Sequence, residues 1–177
     1  MKTRKCTNCK EPFTPWNTLQ KYCLKNYCIS VMIEDKKKKE WAKRKAKMKA
    51  DLMTASDYKK LAQTVFNQFI RLRDKDLNCI SCDKPAKKAN AGHYFSQGGH
   101  SNVRFHEDNV HLQCEHCNSF LSGNLLNYQI GIEKRIGADK LLELHEQAHV
   151  VKQWSIEELK EIISTYKNKV KQLKNGL

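Results

Sequence analysis

Residues 79–124 read CISCDKPAKKANAGHYFSQGGHSNVRFHEDNVHLQCEHCNSFLSGN, and the two CxxC pairs in this stretch decide the fold. Cys79/Cys82 and Cys114/Cys117 each place two thiolates on a short turn. Together the four can close one tetrahedral zinc site and tie off the 31 residues between the pairs. A simple clip would need only the cysteines. This loop also carries His93 after a short extended stretch, Asn109 at the start of a second one, and Asn118 directly after the last cysteine.

Working outward, the amino-terminal segment repeats the cysteine pattern as Cys6/Cys9 and Cys23/Cys28, with 13 residues between the pairs and Pro12 and Pro15 breaking any helix there. Eight cysteines would suit four disulfides in an exported chain. Here they fall in four close pairs, and the first 30 residues have scattered charges in place of an apolar signal core. Two structural zinc sites are therefore expected, each with four cysteines: Cys6, Cys9, Cys23 and Cys28, then Cys79, Cys82, Cys114 and Cys117. A unit of about 25 residues buries too little apolar surface to fold alone, so its metal must supply most of the folding free energy.

The chain has 177 residues, 40% hydrophobic, which suits one or two small domains. It has no apolar run of about 18 residues, so a protein without membrane contact, in the cytoplasm of a bacterial host, is expected. The formal net charge is +14. Zinc thiolate sites would lower it by only about four. An excess of that size self-repels in a compact protein unless a polyanion lies nearby, and nucleic acid is the economical partner.

Residues 34–53 form a basic stretch without Gly or Pro, read as a linker helix. Its Lys36, Lys37, Lys38, Lys39, Lys43, Arg44, Lys45 and Lys47 either track a DNA backbone or simply stay solvated. Thr54 and Asp57 suit a capping box, and Tyr58, Leu61, Ala62, Val65, Phe69 and Leu72 recur at helical spacing as a core stripe. Helices are expected again after residue 120, one ending near Gly137 and the last starting at Ser155 with Glu158 at its third position. The expected domains are a zinc knuckle at 1–33, the linker helix at 34–53, a zinc-clamped core with its packing helix at 54–126, and helices at 127–177 that serve as scaffold and dimer surface. His145 and His149, one turn apart, read as a solvated face.

The order His93, Asn109, Asn118 resembles the HNH, or ββα-metal, nucleases, and the ending CEHCN resembles the endonuclease VII branch that resolves DNA junctions. AGHY, then RFHEDNVHLQCEHCNSFLSGNLLNY and an RIG helix end, resemble the NinG/Rap recombination endonucleases of lambdoid phages, over roughly residues 79–175. The resemblance implies an α+β fold with a small zinc-binding ββα-metal core, a separate amino-terminal zinc unit and flanking helices. It implies a structure-selective endonuclease acting on branched recombination intermediates such as Holliday junctions and displacement loops. In that pattern His93 is the general base, the Asn109 carbonyl holds the imidazole tautomer, and Asn118 is an oxygen ligand to one Mg²⁺ or Mn²⁺. The usual ligand directly before the histidine is missing, because that position is Gly92; Asn90 or Asp108 is the expected substitute. Arg104 is the expected phosphate clamp, the other choice being an ordinary surface charge. A homodimer on branched DNA, with phage or host recombination proteins nearby, completes the expectation. The rivals are a non-catalytic zinc-dependent DNA or RNA binding module and a sequence-specific HNH endonuclease.

Overall fold

A computed structural model describes residues 3–176, which separate into two units, Met1–Met53 and Thr54–Leu177. In the first unit, β1 (Arg4–Lys5) pairs antiparallel with β2 (Pro12–Phe13), and α1 (Asn26–Asp51) follows. Its buried cluster consists of three cysteines, Cys6, Cys23 and Cys28, with Cys9, Phe13 and Tyr22 packed beside them. Cys28 lies in the first turn of α1, so the knuckle runs directly into the helix and residue 33 is not a break. Every residue from Lys36 to Ala50 is exposed. Strong helix formers keep the segment helical although it has nothing to bury.

The second unit begins with α2 (Ala55–Arg73). Thr54 and Asp57 close its capping box reciprocally: the Asp57 amide donates to the Thr54 hydroxyl and the Thr54 amide to the Asp57 carboxylate. α2 packs along α5 (Ile156–Asn175), whose capping box is formed by Ser155 and Glu158. Ala62, Val65, Phe66, Phe69 and Ile70 meet Leu159, Ile163, Tyr166 and Val170, with Phe105 and Val110 closing the cluster. Phe66 and Tyr166 pack edge to face at 4.8 Å. The buried stripe is rotated from the expected one: Phe66 and Ile70 are wholly buried, whereas Tyr58, Leu61 and Leu72 sit at its margin. Since α5 completes the core of α2, residues 127–177 are not an appended scaffold.

Between these helices, β3 (Ala89–His93) pairs antiparallel with β4 (Val110–Cys114), Ala89 opposite Cys114 and His93 opposite Val110. A π-helical turn at His116–Phe120 leads to α3 (Leu125–Ile136) and α4 (Ala138–Ala148). A second core of Ile80, Val103, Tyr128, Ile132, Leu141, Leu144 and Ala148 seals α3 and α4 to the cysteine turn and the long loop. The result is a mixed α+β structure with two small sheets. Among the described residues no helix is long and apolar enough to cross a membrane.

Gly131, in the middle of α3, shows why that helix can lie so close. A Cβ built there would stand 1.9 Å from the Ile80 carbonyl oxygen, and backbone cannot swing aside as a side chain does. Gly131→Ala is expected to lower stability by about 1–3 kcal/mol despite alanine's better helix propensity. Thermal or denaturant unfolding of the full chain measures it, and a variant as stable as the parent would contradict this packing.

Asp74 ends α2 as a buried carboxylate. It accepts from Arg73 Nε at 2.7 Å and Nη2 at 3.0 Å, and from the Leu112 amide of β4 at 2.9 Å. Burial alone would push its carboxyl up. Its contacts with His111, Arg73 and the Leu112 amide outweigh that and hold it well below the usual carboxylate range. The ionised group thus locks β4 to the end of α2.

Candidate functional site

Both expected cysteine groups come together: within each foursome the sulfurs all lie within 4.8 Å of one another. Sγ of Cys6 is 3.7 Å from that of Cys28, Cys9 is 3.7 Å from Cys23, and Cys82 is 3.9 Å from Cys114. Four thiolates about 2.3 Å from one tetrahedral ion would be about 3.8 Å apart, whereas a disulfide needs about 2.05 Å. All eight cysteines are free thiols, and the spacing fits two ions of zinc size. The sulfurs also collect amide donors: Cys6 from the Cys23 amide, Cys79 from the Cys114 amide, and Cys117 from the Asn124 side chain. Such donors stabilise thiolate ligands.

A cleft of about 770 Å³ is walled by β3, α2, the loop after β3, and the turn and first residues of α3. Asn90, His93 and Asn118 all line it, joined by Asn67 and Arg71 of α2 and Gln129 of α3. Antiparallel pairing puts His93 at the end of β3, and the π-helical turn that holds Cys117 also brings Asn118 to the same space. The Arg104 carbonyl lies 3.3 Å from His93 Nε2 and accepts its proton in the tautomer that leaves Nδ1 basic. Burial is the main influence on this imidazole and holds it at about 4, with the Arg104 carbonyl partly opposing. His93 is therefore neutral at pH 7.

Three expectations change on this geometry. Asn109 does not reach His93: it is fully buried, its Oδ1 accepts from the Phe95 amide at 2.7 Å, and its Nδ2 donates to the Phe95 and Val103 carbonyls, both at 3.0 Å. It braces the loop joining the strands, and a backbone carbonyl sets the imidazole instead. Asp108 does not line the cleft; it lies in a short 3₁₀ turn (Glu107–Asn109) whose backbone holds His106 and His111. Arg104 is not on the cleft wall either, because its guanidinium donates to the Gln97 carbonyl and side-chain oxygen, both at 3.0 Å. The arginine on the wall is Arg71. His111 is buried, its Nδ1 accepting from Arg73 Nη2 and its Nε2 donating to the Asp108 carbonyl, both at 3.1 Å.

Gly92 also has its explanation. A Cβ there would sit 2.2 Å from Gln113 Oε1, since the fully buried Gln113 side chain fills that space and donates to Ser81 and the Gly123 carbonyl at 2.7 and 2.6 Å. On the same face Tyr128 of α3 donates to the Gly92 carbonyl at 2.8 Å and accepts from the His111 amide at 3.1 Å, bolting helix to ladder. Sequence reading missed Gln113, Tyr128, Asp74 and Arg71. Alternation along β4 would put Gln113 on the polar face with His111, opposite Val110 and Leu112; both faces of the strand are covered in the fold, so all four residues needed the tertiary structure.

His100 Nδ1 donates to the Ala148 carbonyl at 2.9 Å, and His145 lies 3.5 Å from the Tyr94 hydroxyl with its ring packed on Phe95. His145 is thus part of the packing between α4 and the loop, not a solvated face.

A family profile described as "NinG: Bacteriophage Lambda NinG protein" matches residues 1–176. The chain is 35% identical over 191 residues to "Protein ninG" of Escherichia phage 933W, covering 98% of this chain and 94% of that protein. It is 35% identical over 193 residues to "Protein ninG" of Escherichia phage lambda, with coverage of 98% and 94%, and 34% identical over 193 residues to that of Salmonella phage P22, with 98% and 95%. No solved structure matches. With the whole described chain matched and both cysteine groups assembled, this protein belongs to the NinG family of lambdoid phages.

Proposed function

We propose that this protein is a metal-dependent endonuclease that nicks branched DNA during phage recombination, with a ββα-metal site formed by β3, β4 and the turn leading into α3. The observation that carries the reading is the shared cleft: His93, neutral and with one ring nitrogen tied to a backbone carbonyl, faces the same space as Asn90, Asn118 and Arg71. His93 takes the proton of the attacking water through its free nitrogen. Arg71 grips the scissile phosphate and Asn67 and Gln129 align its neighbours. Asn90 and Asn118 offer neutral amide oxygens, a donor set suited to a hard divalent ion that keeps much of its water, Mg²⁺ or Mn²⁺. Such an ion supplies charge stabilisation to the phosphoryl oxygens and the departing 3′ oxygen. The buried Gln113 excludes a ligand at position 92, so Asn90 takes that role.

In the first unit, the exposed lysines of α1 supply sequence-independent grip on phosphates. A homodimer would present two such clefts to the two-fold symmetry of a junction, and recombination proteins of phage or host are the natural neighbours. The test incubates zinc-loaded protein with an end-labelled four-way junction and with a linear duplex of the same sequence, in Mg²⁺ and in its absence. Nicking of the junction only with Mg²⁺ is expected. Junction binding without nicking would favour the non-catalytic module, and cuts at one sequence in the linear duplex would favour a sequence-specific enzyme.

A further inference from the structure

The first unit exposes an unusual amount of apolar surface for something so basic. Trp16, Leu19 and Leu24 are 74%, 83% and 74% exposed. They border two adjoining hollows that share Trp16, Gln20 and Leu24, one extended by Ile29 and Met32 of α1, the other by Phe13. The segment is not loose. The Trp16 amide donates to Gln20 Oε1 at 2.9 Å, the Leu19 amide to Asn17 Oδ1 at 2.9 Å, and Gln20 Nε2 to the Tyr22 carbonyl at 2.9 Å. Two side chains, Gln20 and Asn17, thus satisfy the backbone of the turn through three hydrogen bonds, and the indole stays exposed. The charge is concentrated in the same unit: residues 1–53 carry 15 of the 33 Lys and Arg but only 5 of the 19 acids.

We infer that the groove around Trp16 and Leu24 is a stacking site for unpaired bases of single-stranded DNA. The occupant must have flat apolar faces, to cover an indole and two leucines, and must carry many negative charges, to settle among 15 basic residues; an unpaired DNA segment has both properties. An apolar peptide would satisfy the groove and leave the charge unanswered, and a duplex would satisfy the charge while keeping its base faces stacked away. The inference rests on the proposed action on DNA for the choice of nucleic acid, and gives the first unit a role at displacement loops, where one strand lies unpaired.

The experiment measures binding without Mg²⁺, so that cleavage plays no part. Fluorescence anisotropy compares a labelled 20-nucleotide oligothymidylate, the same strand with every base replaced by an abasic spacer, and a blunt 20-base-pair duplex. Wild-type protein is expected to prefer the base-bearing strand over the abasic one by about tenfold. Trp16→Ala should lose that preference, Trp16→Phe should keep most of it, and duplex affinity should change by less than about twofold. Equal wild-type affinity for the two single strands would overturn the proposal without need of any variant. So would a Trp16→Ala protein that holds two zinc ions and binds the base-bearing strand normally, including one whose only change is in sedimentation mass, which would assign the groove to a second copy of the chain. Junction cleavage is scored separately, so its loss would not be mistaken for failure here.

Discussion

His93→Ala is expected to reduce junction cleavage by about 10²- to 10⁴-fold while leaving junction affinity in place. The ring is partly buried and touches backbone, so removing it takes away a proton acceptor and little binding surface. Single-turnover cleavage beside anisotropy separates the two quantities, and equal cleavage by variant and parent would remove His93 from the mechanism. The same residue sets the acid limit. Burial lowers the imidazole from its ordinary value to about 4, so the neutral, base-competent form persists well below pH 6.5. The stability that favours neutral His93 is fully present above about pH 6.5 and is lost as pH falls through 4. An ordinary histidine would cost kcat/KM about tenfold at pH 5.5. Here kcat/KM at pH 5.5 should stay within about twofold of its value at pH 7. An acid limb centred near 6.5 would show that the free protein does not bury this ring.

Zinc removal is expected to have the largest structural effect. Two zinc ions per chain should survive dialysis against Mg²⁺ buffer, because thiolates prefer the softer ion. Stripping them with a strong chelator should collapse the amide dispersion of residues 3–28 in an NMR spectrum, since the buried cluster of that unit consists of cysteines and little else. Metal binding in finger-sized units is worth about 10–16 kcal/mol, as much as the whole stability of many domains. The second unit should fare differently. It also buries the α2–α5 core, so it is expected to keep much of its helical signal while the ladder and the turn holding Asn118 loosen. Finding one zinc per chain, or none with oxidised cysteines, would break the assignment of the two sites.

The two effects separate along the line between local and distant information. Cysteine spacing, capping boxes and the basic run are local: Thr54 and Asp57, or Cys79 and Cys82, find each other within one turn of chain. Those features stood in the sequence, whereas the pairing of the stretch ending at His93 with the one starting near Asn109 came only from the family resemblance. The helical stripe of α2 was legible in type but misplaced in phase, because Phe66 and Ile70 become core only when α5 and Tyr166 arrive from about a hundred residues away.

The cleft shows the limit most clearly. Cysteine spacing alone put four thiolates of residues 79–117 within reach of one ion, and the family resemblance put His93 and Asn118 at one site. Sequence could not determine which polar groups remain free to act. Asn109 and Arg104 have the right chemistry for the cleft, but tertiary packing engages both with the loop between the strands, while Arg71, ordinary in sequence, ends up on the wall. Gly92 is the same lesson at atomic scale: only the folded ladder brings Gln113 into the space a side chain would need. Hydrogen-bond partners and excluded volume are set by segments far apart in the chain, and so the tertiary structure, not the motif, decided which side chains share the cleft with His93.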